Sequence, residues 1–211
     1  MAEFLDTGPA DGSVALVLAH GAGAGMDTRF MTEMAALLAA RGIRVLRFEF
    51  GYMAQRRESG KRRPPPRADS LVDEYKAAVA AARQHVGAGV RLAIGGKSMG
   101  GRVASMIADE LSADGQITAL VCLGYPFHPP GKPEATRTAH LEAIACPSLI
   151  VQGERDPFGN GDEVAGYVLA PAIRFVWIGD GDHDFGPRGR SGFTRKGNLA
   201  LAADEVAGFL A

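Results

Sequence analysis

Short apolar runs alternate along this chain with longer segments of helical character, and this alternation constrains the fold more than any other feature. Most runs are rich in β-branched or large apolar residues, as expected for strands covered on both faces. Such an alternation predicts a parallel sheet with right-handed crossovers and helices on both faces. The predicted strands lie at 14–19, 43–50, 90–95, 117–124, 147–153 and 173–179, and the predicted helices at 27–41, 69–86, 99–113, 139–144, 160–170 and 195–211.

Length, composition and charge are those of a globular protein. The chain has 211 residues, 46% of them hydrophobic, and a formal net charge of −1. This length predicts one domain over residues 1–211, and the charge balance predicts neither a nucleic-acid nor a membrane partner. Without a signal-peptide pattern or a long apolar run, we expect a cytoplasmic location. Cys122 and Cys146, in or beside apolar runs, are expected to be buried free thiols.

The stretch GGKSMGGR, residues 95–102, fits two motifs. A phosphate-binding loop ending in GKS needs a glycine five residues before Gly96, but that position is Arg91. The same stretch contains G-x-S-x-G, which between a strand and a helix forms a sharp turn that presents a nucleophilic serine. A glycine-rich turn with an incidental serine is the alternative. Because the strained serine backbone needs small neighbours two positions away, Gly96 and Gly100 favour Ser98 as a nucleophile.

Acyl transfer by a serine also requires a base and an acid that orients the base. In this type of sheet the expected chain order is serine, acid, histidine. Asp156 follows strand 147–153 and His183 follows strand 173–179, so both lie at the sheet edge where parallel sheets build their sites. Taken singly, each is also typical of an ordinary loop residue. Their residue type, order and position together predict a triad of Ser98, Asp156 and His183.

An oxyanion hole requires two N–H groups directed at the developing negative charge. The residue after the nucleophile, Met99, supplies one. The loop HGAGAG after strand 14–19 is expected to supply the other from Ala22, with His20 as a structural residue that pins this loop. The acids nearest His183 are Asp180, Asp182 and Asp184, and they are too close to it in sequence to orient its ring. The GDHD stretch is too compact to supply three metal ligands. Neither a metal nor a cofactor is predicted.

Residues 51–70, GYMAQRRESGKRRPPPRADS, differ from the rest of the chain in charge. They carry six basic and two acidic residues and three consecutive prolines. We interpret the segment as a long loop, and such loops are usually functional or mobile. Because arginine can fork onto carboxylate or phosphate, it could clamp an anionic substrate, although a solvated rim with locally paired charges is equally consistent. The substrate-binding candidates are Arg56, Arg57, Arg62, Arg63 and His128.

The blocks HGAGAGMD, GKSMGG, GERDPFG and DGDHDF occur in the order typical of the α/β-hydrolase superfamily, which the chain resembles over nearly its whole length. More narrowly, YMAQRRESGKRRPPPRA, LGYPFHPPGKPE and DGDHDFGPR resemble the compact dienelactone-hydrolase-like group. That group includes a testis-expressed hydrolase-like protein and a subunit of the non-specific-lethal histone acetyltransferase complex. The resemblance implies the same triad and oxyanion donors. A serine replaces the cysteine of dienelactone hydrolase itself, so that substrate is not implied.

The sequence therefore predicts an α/β-hydrolase fold with a mostly parallel sheet of six to seven strands and no cap domain. The predicted activity is hydrolysis of an ester, thioester or related acyl bond in a small substrate, possibly an anionic one, through an acyl-enzyme. The alternative is a hydrolase-fold scaffold that docks a protein partner through the basic 51–70 segment, because a fold does not determine a function.

Overall fold

The computed structural model describes residues 3–61 and 64–211. Within these ranges, seven strands form one sheet in the order β1-β3-β2-β4-β5-β6-β7, in which β1 pairs antiparallel with β3 and all other pairs are parallel. The strands are β1 (Leu5–Thr7), β2 (Val14–Ala19), β3 (Arg44–Phe48), β4 (Arg91–Lys97), β5 (Ala119–Leu123), β6 (Ser148–Gly153) and β7 (Ile173–Ile178).

Helices connect the strands and cover both faces of the sheet. The α-helices are α1 (Arg29–Ala39), α2 (Gly51–Ser59), α3 (Val72–Val86), α4 (Met99–Ser105), α5 (Ala108–Ala113), α6 (Gly161–Val164) and α7 (Arg195–Leu210). Two 3-10 helices span Ala68–Leu71 and Ala139–Leu141. No helix in the described ranges is both long and apolar enough to cross a membrane.

The core lies on both sides of the sheet. Every residue of β2 is buried, and its alternate side chains enter two different clusters. Val17 packs in the cluster that contains residues of α3 and α4, whereas Leu16 packs in the cluster that contains residues of α1 and α7. Two-sided burial explains why β2 is a continuous apolar run rather than an alternating one.

The predicted strands are confirmed. All six lie within two residues of their expected ends, and β1 is the additional N-terminal strand. The connection from β5 to β6 carries only a 3-10 helix, and no cap domain is inserted in the described residues. The cysteines Cys122 and Cys146 are buried free thiols, as expected.

Helix boundaries differ from the predictions in several places. The segment 99–113 forms two helices instead of one. At the break, the N–H groups of Met106 and Ile107 donate to the carbonyls three residues before them, and Ser105 Oγ donates to the Arg102 carbonyl at 2.7 Å. Thr28, rather than Asp27, is the N-cap of α1. The segment 160–170 contains only the single turn α6, whose N-cap Asn160 forms a capping box.

The expectation that residues 51–70 form a loop is wrong over their first half. Residues Gly51–Ser59 form α2, which Gly60 ends in the left-handed conformation at φ 68°. The first turn is anchored because the Gly51 N–H donates to Glu74 Oε2 at 2.7 Å. Arg56 and Arg57 lie in the last turn, where positive charge stabilises the helix dipole. The basic residues of this half therefore sit on a helix that has its own structural contacts.

Candidate active site

Ser98 occupies the turn between β4 and α4. Its backbone has φ 52° and ψ −118°, a conformation that side-chain-bearing residues rarely adopt. The Ser98 N–H donates to the Leu123 carbonyl of the neighbouring strand at 3.0 Å, which fixes the turn against the sheet. This is the strained strand-turn-helix geometry that presents a side chain above the sheet edge.

Two glycines flank this serine because nothing larger fits beside it. A Cβ atom on Gly96 would lie 2.4 Å from the backbone carbonyl carbon of Gly100. A Cβ atom on Gly100 would lie 2.6 Å from the backbone oxygen of His20. Both distances are far below van der Waals contact, and both partners are backbone atoms that cannot move aside. The G-x-S-x-G spacing therefore has a steric cause in this structure.

Asp156 and His183 form a hydrogen-bonded pair at the carboxyl edge of the sheet. Asp156 Oδ2 lies 2.7 Å from His183 Nδ1, and the Asp156 side chain has 0% exposure. Gln152 Nε2 donates to the same oxygen at 3.0 Å, and the Phe158 N–H donates to Oδ1 at 2.9 Å. Because the carboxylate accepts from Nδ1, the neutral ring carries its proton there and has a lone pair on Nε2.

Ser98 and His183 line one cavity of about 540 Å³. The Phe158 ring lies over the imidazole, with centroids 4.3 Å apart and planes at 33°. Ser98 Oγ forms no hydrogen bond with any group in the described part of the chain. Hydrogen bonds between catalytic groups are often long without substrate and tighten in the complex. The cavity brings together Ser98 and His183, and the buried Asp156 bonds to the His183 ring without lining the cavity itself.

The two expected oxyanion donors flank the serine. Met99 is the first residue of α4, so its N–H has no partner within the helix. Ala22 lies in the loop after β2 and lines the same cavity as Ser98. Neither N–H donates in the turn and loop hydrogen bonds of the described residues. Both are therefore available to an incoming oxygen.

His20 fastens the loop that contains Ala22. Its Nδ1 lies 2.7 Å from the Gly21 carbonyl oxygen, and its Nε2 accepts from the Phe50 N–H at 3.1 Å. The ring is buried, and burial lowers the pKa of His20 against the weaker effect of the backbone acceptors. His20 thus ties the end of β2 to the start of α2, a structural role.

Helix α2 braces the same loop from outside. Tyr52 Oη donates to the Ala22 carbonyl at 3.0 Å and lies 3.4 Å from the Gly21 carbonyl oxygen. Arg56 Nη1 donates to the Gly23 carbonyl at 3.1 Å. Three successive carbonyls are held by one helix, so the peptide N–H groups between them are fixed in direction. Sequence analysis missed Tyr52, because nothing in its local pattern indicates a contact with residues 21–23.

Lys97, directly before the nucleophile, is a buried cation in the same cavity. Its side chain is 8% exposed, and Nζ lies 3.3 Å from Asp184 Oδ1 and 5.3 Å from the centre of the Phe30 ring. The Asp184 contact is at ion-pair distance without hydrogen-bond geometry. Burial lowers the pKa of Lys97, while the charges of Asp184 and Asp156 act in the opposite direction.

Of the basic residues predicted to bind substrate, Arg56 and Arg57 do not line the cavities that contain Ser98. Arg56 braces the loop, and Arg57 Nη2 lies 3.3 Å from Oε2 of the buried Glu49. Arg62 and Arg63 lie outside the described residues. Arg56 and Arg57 therefore contact other residues of the same chain.

His128, the other predicted binding residue, is buried within the connection from β5 to β6. Its Nδ1 lies 2.9 Å from the Pro129 carbonyl oxygen, and its Nε2 lies 3.2 Å from Glu163 Oε2. It does not line either cavity that contains Ser98. Its contacts join the β5–β6 connection to α6.

The acids beside His183 have other contacts. Asp180 pairs with Arg155 and Arg188, and Asp182 accepts the Gly186 N–H at 2.8 Å. None of the acids at 180, 182 and 184 bonds to the His183 ring in the described part of the chain. Across the described residues, no group of three His, Cys, Asp or Glu side chains is arranged to hold a metal ion.

Comparisons with known proteins agree with this fold. A family model described as an alpha/beta hydrolase domain matches residues 12–211. Among curated proteins, none matches the chain significantly. A serine hydrolase homologue from Coxiella burnetii superposes with a TM-score of 0.70 at 22% identity, covering 100% of this chain and 92% of its own.

Two other solved structures share the architecture at lower identity. A serine hydrolase without a lid from Xanthomonas campestris has a TM-score of 0.65 at 18% identity, covering 99% of this chain and 95% of its own. An esterase from Pyrococcus furiosus has a TM-score of 0.72 at 14% identity, covering 100% and 90%. Likeness at these identities shows a shared fold.

Proposed function

The chain belongs to the alpha/beta hydrolase domain family, with the fold that its sequence predicts, and from this premise we propose that it is a serine hydrolase. Its reaction is cleavage of an ester, thioester or related acyl bond through an acyl-enzyme. One observation carries the proposal: the strained Ser98 turn lines the same cavity as His183, whose ring is hydrogen-bonded to the buried Asp156. A glycine-rich turn without catalytic function would have no need of a buried carboxylate behind a histidine beside it.

The proposed reaction assigns one role to each group. Ser98 Oγ attacks the acyl carbon while His183 Nε2 takes its proton, and Asp156 stabilises the imidazolium that forms. The N–H groups of Ala22 and Met99 donate to the oxyanion; removal of one such donor costs about 2.7–4 kcal/mol in other serine enzymes. His183 then protonates the leaving group. Water attacks the acyl-enzyme in the same way and releases the acid and the free serine.

The open architecture favours small substrates. With no cap domain in the described residues, nothing there forms the deep, enclosed pocket that a long acyl chain would need. The similar structures include an esterase and a serine hydrolase without a lid. We further propose that the chain belongs to the dienelactone-hydrolase-like group that its sequence resembles, with a serine as nucleophile.

Labelling with a fluorophosphonate probe tests the proposal. The probe should modify the wild-type chain on the peptide that contains Ser98, as identified by mass spectrometry. Ser98→Ala should abolish labelling and lower kcat for p-nitrophenyl butyrate by about three orders of magnitude or more. Ser191→Ala, which changes a serine away from the cavity, is the matched control and should retain both. Full labelling of the Ser98→Ala variant would exclude Ser98 as the nucleophile.

A further inference from the structure

A second cavity of about 530 Å³ is also lined by Ser98, and Lys97 does not line it. It shares Ala22, Ser98 and Phe158 with the first cavity, so a substrate at the serine reaches both. Its other lining is partly apolar and carries more positive than negative charge. The charged lining residues are Arg67, Asp69, Arg102 and Arg137, and the apolar ones include Met99, Met106 and Pro126.

Arg102 reaches this cavity from α4. It lies one helical turn after Ser98, and its N–H donates to the Ser98 carbonyl at 3.0 Å. Because helical side chains lean towards the N-terminus, that of Arg102 extends back over the turn that holds Ser98. Its Nε is buried and has no hydrogen-bond partner among the described residues. Arg102 itself lines the cavity, where an oxyanion could accept from the terminal nitrogens of its guanidinium group.

Arg137 reaches the cavity from the β5–β6 connection, on a backbone that is fixed at both ends. Its N–H donates to the Phe127 carbonyl at 2.7 Å, and its carbonyl accepts from Tyr125 Oη at 2.9 Å. Tyr125 and Phe127 are both fully buried. Burial, and then the like charge of Arg102, lower the pKa of Arg137. Arg102 and Arg137 line the same cavity, so two like charges face one space.

The charge of these two arginines is not neutralised by ion pairs. Arg67 pairs with Asp69 at 3.1 Å on the rim of the cavity. Among the ion pairs of the described residues, none includes Arg102 or Arg137. A concave surface with an excess of one charge concentrates ligands of the opposite charge. Guanidinium groups are also suited to two-point contact with carboxylate or phosphate.

We propose that Arg102 and Arg137 form a subsite for an oxyanion, carboxylate or phosphate, that the acyl substrate carries a few bonds from its scissile carbonyl. This inference rests on the proposed serine hydrolase function and specifies its substrate class. It places the anion beside the nucleophile on α4 and the β5–β6 connection, rather than on Arg56 and Arg57 of residues 51–70. Arg56 and Arg57 of that segment already contact the protein itself.

Two esters that differ in one charge test the subsite. We compare kcat/KM for the mono-p-nitrophenyl ester of glutarate with kcat/KM for p-nitrophenyl butyrate. The wild type should prefer the charged ester, and Arg102→Gln or Arg137→Gln should lower this preference by about tenfold or more. Added KCl should lower it in the wild type as well. The double variant Arg56→Gln/Arg57→Gln is the matched control and should leave the preference unchanged, even if both rates fall.

Direct binding separates the subsite from catalysis. Glutarate and methyl phosphate are titrated separately into the Ser98→Ala variant by calorimetry. The titrations are repeated with the double variant Ser98→Ala/Arg137→Gln. The ligand that binds Ser98→Ala more tightly identifies the preferred oxyanion. Arg102→Lys and Arg137→Lys keep the charge, so they should retain part of the binding and show that the loss is not misfolding. An unchanged ester preference in both glutamine variants, with Ser98-dependent turnover intact, would overturn the subsite and leave the hydrolase. Arginine-dependent binding without Ser98 labelling or turnover would support the subsite and reject the hydrolase.

Discussion

His183 Nδ1 lies 2.7 Å from Oδ2 of Asp156, a carboxylate that has no solvent exposure. Both oxygens of that carboxylate have further donors, since Phe158 N–H reaches Oδ1 and Gln152 Nε2 reaches Oδ2. The two carboxylate oxygens of Asp156 therefore accept from three donors, namely His183 Nδ1, Gln152 Nε2 and the Phe158 N–H. The ring is held in one orientation, with its second nitrogen directed away from the acid.

Asp156→Asn should lower kcat for p-nitrophenyl butyrate by about 10⁴-fold while the chain still folds. The amide keeps one oxygen and turns an NH₂ group towards one of the surrounding donors, so the histidine tautomer and its orientation are lost. Steady-state kinetics measures the effect, and circular dichroism checks the fold. The matched control is Asp162→Asn, which changes an exposed acid of α6 that does not bond to the His183 ring; we expect kcat within a few-fold of wild type. Near-normal turnover in Asp156→Asn would transfer the orienting role to another acid, with Asp182 the next to test.

Tyr52→Phe should lower kcat by about tenfold with little change in KM. Loss of the hydroxyl frees the carbonyls of Gly21 and Ala22, which flank the Ala22 N–H along the chain, and this N–H then points less accurately at the oxyanion. Deletion of a whole donor costs about 10²–10³-fold in other enzymes. Burial raises the pKa of Tyr52 to about 12, so the hydroxyl remains a donor throughout the neutral range.

The control for this variant is Tyr167→Phe. The Tyr167 hydroxyl forms no hydrogen bond within the described residues, so its removal should leave kcat unchanged. Thermal unfolding of both variants checks that any loss is local. If Tyr52→Phe raised KM and left kcat unchanged, Tyr52 would contact substrate instead of positioning the loop.

The sequence predicted the parts of this molecule that depend on local pattern and chain order. Strands such as β2 are continuous apolar runs because they are buried on both faces, and Gly96 and Gly100 mark the turn because a Cβ cannot fit there. Asp156 and His183 were identifiable because parallel strands all end at one edge.

Contacts between distant segments left no comparable pattern in the sequence. Helix α2 lies in a segment whose basic residues and nearby prolines predict a loop. The Tyr52 bond to Ala22 joins residues 30 positions apart, and nothing in either segment indicates it. Arg137 illustrates the same limit, because its cavity forms only when the β5–β6 connection packs beside α4. Arg102 lies four residues after Ser98, and this spacing places it one helical turn from the serine. That spacing is a local signal for a basic residue of α4 beside the nucleophile.

His20 makes stability depend on pH through its neutral ring. Nδ1 carries the proton towards the Gly21 carbonyl, and Nε2 must be unprotonated to accept from the Phe50 N–H. Burial lowers the pKa of His20 below its ordinary value of 6.5. The unfolded chain therefore binds this proton more readily than the folded chain. It follows that the free energy of unfolding is highest above pH 6.5 and decreases as the pH falls towards the folded-state pKa. His140, whose pKa is also lowered by burial and by the charge of Arg102, contributes with the same sign.

His20→Gln should make this decrease shallower, because glutamine can accept from the Phe50 N–H without titrating. Its stability at pH 7.5 should be lower than that of the wild type by about 1 kcal/mol, since the bond to the Gly21 carbonyl is lost. Urea unfolding at several pH values between 5 and 7.5 gives both quantities, with His140→Gln and the double variant measured in parallel. The double variant should have the shallowest dependence, because it lacks both depressed titrations. A slope in His20→Gln equal to that of the wild type would mean that His20 takes up its proton equally well in the folded and unfolded chain, against the hydrogen bonding seen at its ring.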